Sequence, residues 1–126
     1  MQIEMWRVLK ILEIYSKFRD LSIPAKTAYK FSRLCDGLRN ASTFYEEEMR
    51  KVISQYGAKN EDGSLKTTKD GGIQIEPELI KPVQEKFNEL SYCEVYAPEI
   101  QFSIDELDGL GLSIGDFDIF LPFITE

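Results

Sequence analysis

The sequence predicts a mainly α fold with a small β component, an α+β chain. A long antiparallel helical hairpin is expected first, then a polar β-hairpin or loop, then short helices and short strands at the C-terminus. Three observations predict it. Apolar residues recur at helical spacing through residues 3–18, and a second stripe alternates spacings of three and four from residue 28 to residue 56. Beyond residue 57, glycine and proline punctuate short runs of alternating polarity. At 126 residues one domain is expected, divided into a hairpin over 1–56, a polar loop over 57–76 and an acidic helix and strand region over 77–126.

In "IEMWRVLKILEIYSKF", residues 3–18, Met5, Val8, Leu12 and Tyr15 share a helical face that Ile11, Ile14 and Phe18 widen, so the helix needs cover on more than one side. Pro24 in "LSIPAK" suits a first helical turn, because its φ is already helical and its missing N–H would have no partner there. The second helix is predicted from about Pro24 to Tyr56. Its seam runs Ala28, Phe31, Cys35, Leu38, Ser42, Tyr45, Met49, Val52 and Tyr56, the pattern of a coiled coil. Such a helix is about 50 Å long at 1.5 Å per residue, so part of it is expected to protrude or to meet another chain. Phe31, Leu38, Tyr45, Met49 and Val52 are the residues expected to carry that interaction.

Gly57 is placed to end the helix in a left-handed cap. The acids and glycines that follow do not form a calcium loop, since counting back from Gly63 puts Ala58 where the first ligand belongs, and no GxxxxGK[ST] run is present. Asp62-Gly63 instead predicts a two-residue hairpin turn, followed by Gly71-Gly72 and a short strand "IQI". Pro77 and Pro82 frame a helix "PVQEKFNEL" with Val83, Phe87 and Leu90 on one face. "CEVYAPEIQFSI" reads as short strands on either side of Pro98. Ser103-Ile104-Asp105-Glu106 and Ser113-Ile114-Gly115-Asp116 have the spacing of capping boxes, and the apolar ending, Phe117 to Ile124, should fold back on the helices.

Charge is divided along the chain. The net charge is −7, yet residues 1–56 hold ten Lys/Arg against seven Asp/Glu, whereas residues 83–126 hold one against ten. An acidic surface works against nucleic-acid binding, whose affinity comes mainly from neutralising phosphates. Lys10 and Glu13 interrupt the most apolar segment, so no membrane span is expected. Two separated cysteines and an N-terminal stretch without an unbroken apolar core suggest a reduced, cytoplasmic protein.

With no histidine, the Ser-His-Asp triad, the Cys-His pair and the common zinc sites are excluded. Cys35 lies on the seam and reads as a small buried hydrophobe. "GLGLSIG", residues 109–115, has the wrong glycine spacing for a dinucleotide loop. The densest titratable cluster is Asp105, Glu106, Asp108, Asp116 and Asp118. It serves as caps and acidic surface in one reading, and Asp105 with Asp108 as a metal or acid/base pair in the other.

A short first helix, a long helix opening at "PAKTAYKFSRL" and passing through "YEEEMRKVISQYG", then "KNEDG", "EKFNELSYCEVY" and an ending "SIDEL" to "LPFI" together resemble a family of small tailed-bacteriophage and prophage proteins. The resemblance covers nearly the full chain, implies no activity and carries over no catalytic residue. The glycines Gly109, Gly111 and Gly115 depart from it. The expectation is therefore a non-enzymatic bacteriophage protein that needs no cofactor or metal. It would self-associate through the long helix as a virion or assembly component in the host cytoplasm. Alternatives are an inhibitor of a host defence system acting through the acidic surface, and a small metal- or ligand-binding enzyme using Asp105 and Asp108.

Overall fold

The computed structural model describes residues 1–125, and it is mainly helical with two small two-stranded sheets. The order is strand β1 (Gln2–Glu4), helix α1 (Met5–Phe18), helix α2 (Ala25–Tyr56), a 3-10 turn (Pro77–Leu79) and helix α3 (Ile80–Ser91). Strands β2 (Glu94–Tyr96) and β3 (Phe102–Ser103), helices α4 (Ile104–Leu107) and α5 (Ile114–Ile119), a 3-10 turn (Leu121–Phe123) and strand β4 (Ile124–Thr125) complete it. Two compact units divide the chain, one made of Met1–Ser42 with Glu94–Glu126 and one of Thr43–Cys93. The boundary falls inside α2 and just before β2.

The first unit has a dense apolar centre. Met5, Val8, Ile11, Ile14 and Phe18 are the buried face of α1, while Leu12 and Tyr15, predicted on its axis, lie half-buried at the edge. Ile3 belongs to β1 and not to the helix. β1 pairs antiparallel with β2, Gln2 opposite Tyr96, Ile3 opposite Val95 and Glu4 opposite Glu94. From α2 come Phe31, Leu34, Cys35 and Leu38, all at most 1% exposed. Phe31 is the hub, its ring centroid 4.4 Å from Phe102, 5.0 Å from Phe18, 5.8 Å from Phe120 and 6.3 Å from Tyr15. The C-terminal segment thus folds back as its apolar content requires. β4 pairs parallel with β3, Phe102 opposite Ile124, and Arg7 Nη1 donates to the carbonyls of Asp118 at 3.0 Å and Ile119 at 2.8 Å, satisfying acceptors that the end of α5 leaves open.

The helix α2 is one continuous segment, as its seam predicted. Pro24 sits one residue before it, its carbonyl accepting from the Ala28 N–H. The capping signatures also form. Ser103 and Glu106 make a reciprocal box at α4, and Ser113 caps α5 through the Asp116 N–H, with no reciprocal bond from Asp116.

In the second unit, the polar stretch after α2 closes on itself. Three single-residue rungs lie eight residues apart. The Ala58 N–H donates to the Gln74 carbonyl at 2.8 Å, Gln74 to Lys66 at 2.9 Å, and Lys66 to Ala58 at 2.7 Å, a closed cycle. Antiparallel bridges Gly57–Ile75, Lys59–Leu65 and Thr67–Ile73 repeat the same cycle. The turns match too. Gly63 donates to Asn60, Gly71 to Thr68 and Leu79 to Glu76, so the segment is three successive octapeptides, "GAKNEDGS", "LKTTKDGG" and "IQIEPELI".

Two expectations are corrected here. The Asp62-Gly63 turn is not a two-residue hairpin: the Gly63 N–H bonds to Asn60, and Gly63 itself has φ +87°, a tight turn followed by a left-handed glycine. Gly71, at φ +88°, repeats it. Gly57 is not a left-handed cap either. A Cβ there would lie 2.6 Å from the Ile53 carbonyl oxygen, 2.8 Å from Leu65 Cδ2 and 3.1 Å from Ile73 Cγ2, so glycine is required because the other two octapeptides crowd onto it.

Candidate functional site

The acidic residues of the first unit do different jobs. Glu106 belongs to the framework: its Oε1 accepts from Lys30 Nζ at 2.7 Å and from the Ser103 N–H at 3.0 Å, and its Oε2 from Thr27 Oγ1 at 3.3 Å. Lys30 spans further, donating to the Gln101 carbonyl at 2.8 Å and lying 5.7 Å from the Phe102 ring centroid. The hydrogen bond from Lys30, reinforced by the Ser103 N–H and the lysine charge, pulls the Glu106 carboxyl down to about 2. This carboxylate is ionised through the whole neutral range, and its oxygens are occupied by donors from α2 and the strand edge.

Asp105 and Asp108 are exposed and line one open cleft of about 720 Å³. Ser22, Ile23, Pro24, Lys26 and Thr27 also line it, Lys26 in the first turn of α2. Asp118 is exposed and Asp116 half-buried on α5; neither lines that cleft. Among the described residues no group of three His, Cys, Asp or Glu side chains is placed to hold a metal ion. The cleft brings together two of the five acidic residues and uses a third, Glu106, to tie its walls.

Along α2 the predicted seam changes character. Phe31 and Leu38 are fully buried within the first unit, as is Cys35, whose thiol burial pushes up to about 12. A thiol so desolvated is no nucleophile at neutral pH. Leu34, which the seam omitted, is buried beside them because α2 is covered over a wider arc than one heptad stripe. In the second unit Val52 is 7% exposed, but Tyr45 and Met49 are only half-buried. Tyr45 meets Phe87 of α3 edge-on at 6.3 Å and its hydroxyl bonds to Ser91. Burial raises the Tyr45 phenol above its ordinary value, against the pull of that bond.

Sequence reasoning placed Phe87 on an apolar face with Val83 and Leu90 and did not anticipate that Phe87 would remain nearly half exposed. Phe44 is 46%, Ile80 44% and Phe87 45% exposed, while α3 buries no apolar side chain fully, Val83 and Leu90 being half-buried. Among the described residues no helix is long and apolar enough to cross a membrane.

Comparison of the chain with protein-family models, with curated proteins and with solved structures found no match in any of the three.

Proposed function

We propose that the protein works by binding another protein chain through the second unit, and that the chain it binds is a second copy of itself. One observation supports the reading above the others: the distal half of α2 and α3 keep Phe44, Ile80 and Phe87 nearly half exposed, with Tyr45, which meets Phe87 edge-on, and Met49 only partly covered. Large apolar side chains left this exposed favour association, since burying each one removes apolar surface from water. The role that fits is non-enzymatic, a bacteriophage virion or assembly component acting in the host cytoplasm, with no cofactor. Light scattering across a concentration series tests it. The parent protein is expected to run as a dimer or larger, and Met49→Asp as a monomer that retains its helical circular dichroism; a parent protein that stays monomeric at every concentration overturns the reading.

A second reading is favoured by the distribution of charge. Asp105, Asp108 and Asp118 are exposed on a region that carries one basic residue against ten acidic ones over 83–126. Such a surface suits capture of a basic host protein, as an inhibitor of a defence system would require. Capture from a host lysate would then fall steeply between about 0.1 and 0.5 M salt, as screening shortens the Debye length. Asp105→Asn with Asp108→Asn should weaken it. Capture that ignores both salt and these substitutions counts against this reading and leaves self-association untouched.

A further inference from the structure

We infer that the three octapeptides over residues 57–80 act as a clasp: they open and close as one unit, and it is this clasp, not the packing of α3 itself, that holds α3 in place. The hydrogen-bonding pattern requires the first part. Each rung has its donor in one octapeptide and its acceptor in another, and the third bond, from the Ala58 N–H to the Gln74 carbonyl, joins the last octapeptide back to the first. A row of strands can fray from one edge, but a cycle has no edge to fray from. Breaking any one rung releases the constraint on the other two, so their exchange with solvent should be governed by a single opening event. Gly57 tightens the coupling, because Leu65 and Ile73 from the other two octapeptides both reach the position its side chain would occupy.

The second part follows from how little else secures α3. It is twelve residues long, has a proline in its third position, and fully buries only Ser91, with Pro82, Val83 and Leu90 half-buried. Helices of that length are marginal in water without a packed face. The specific side-chain ties are the edge contact between Phe87 and Tyr45 and the bond between Tyr45 and Ser91, beside the partial burial of Val83 and Leu90. The third octapeptide supplies what is missing. Its turn, closed by the Leu79 N–H on the Glu76 carbonyl, is the 3-10 turn Pro77–Leu79 itself and leads directly into α3. Opening the clasp therefore frees α3 and, with it, the apolar face of the second unit. The inference concerns how this unit opens and stands whether or not the face binds a second copy.

Hydrogen exchange of the full chain, followed residue by residue by NMR under conditions where reclosing outpaces exchange, tests both parts. The variant is Gly71→Ala. It places a side chain in open space at φ +88°, so it strains one turn without a clash and should favour opening by roughly five-fold. The expected result is the same rise at Gln74, beside the altered turn, and at Ala58 and Lys66 on the other rungs. Phe87, Asn88 and Leu90 in α3 should rise with them, while Leu34 and Leu38 in the first unit keep the parent rates. Acceleration confined to Gln74 and Thr68 would show independent rungs and overturn the cycle as a cooperative unit. Acceleration of all three rungs with α3 unchanged would overturn the clasp's hold on that helix.

Discussion

The two units of this chain solve the same problem differently. The first surrounds its share of α2 with α1, the two small sheets and the C-terminal turns, and Phe31 touches four other aromatic rings. The second surrounds its share with a polar cycle of octapeptides and one short helix, and among the described residues it contributes only Val52 and Ala58 to the buried apolar set. One helix thus passes from an environment that satisfies its seam to one that leaves the seam partly open. A long heptad stripe is not by itself a coiled coil. What matters is which neighbour each turn of the helix is given.

If the first unit holds its own core and the second does not, truncations should separate them by size of effect. Phe31→Ala is the largest. The ring is fully buried among Phe18, Phe102, Phe120 and Tyr15, and its loss should cost about 3–5 kcal/mol by denaturant titration. Glu106→Gln should come next, at about 1–2 kcal/mol near pH 7, because it breaks a charge-assisted bond between α2 and α4. Its pH dependence has a definite sign. The folded carboxyl titrates about 2, below its ordinary 4.5, so the contribution is full above about 4.5 and fades as the pH falls from 4.5 toward 2. Chemical unfolding at pH 7 and pH 3 should therefore show the parent and variant converging at the lower value.

A smaller effect, with an unusual direction, is expected at Gly37. Replacing a mid-helix glycine by alanine ordinarily stabilises by roughly 0.5–1 kcal/mol. Here the new Cβ would lie 2.2 Å from Pro98 Cγ, so Gly37→Ala should lower the melting temperature instead. The smallest effect belongs to the second unit. Phe87→Ala, at a ring 45% exposed, should change the stability of the dilute protein by less than about 1 kcal/mol, and a loss as large as that of Phe31→Ala would erase the contrast between the units.

Much of the fold was legible because it is local. The run of α2 followed from apolar spacing, the two serine caps from residue pairs three apart, and the return of the C-terminus from phenylalanines too apolar for water. What escaped depends on residues far apart in the chain. Lys30 and Glu106 are 76 residues apart, and nothing near either announces the other. The octapeptide cycle was hidden for a related reason. Its three repeats share little beyond Asp-Gly in the first two, and Gly57 resembles an ordinary helix stop until Leu65 and Ile73 are seen against it. Of the candidate residues, periodicity correctly identified which side of α2 is apolar. It held no information on what would cover that side, which is why Phe31 and Leu38 differ from Tyr45 and Met49.

The claim that the second unit's open face is a self-association surface is tested most directly by comparing hydrogen exchange in dilute and concentrated protein, peptide by peptide. Concentration should slow exchange within residues 43–56 and 80–91 while leaving residues 5–18 and 102–125 as they were. Identical exchange at both concentrations throughout 43–91, or slowing confined to the first unit, would contradict it.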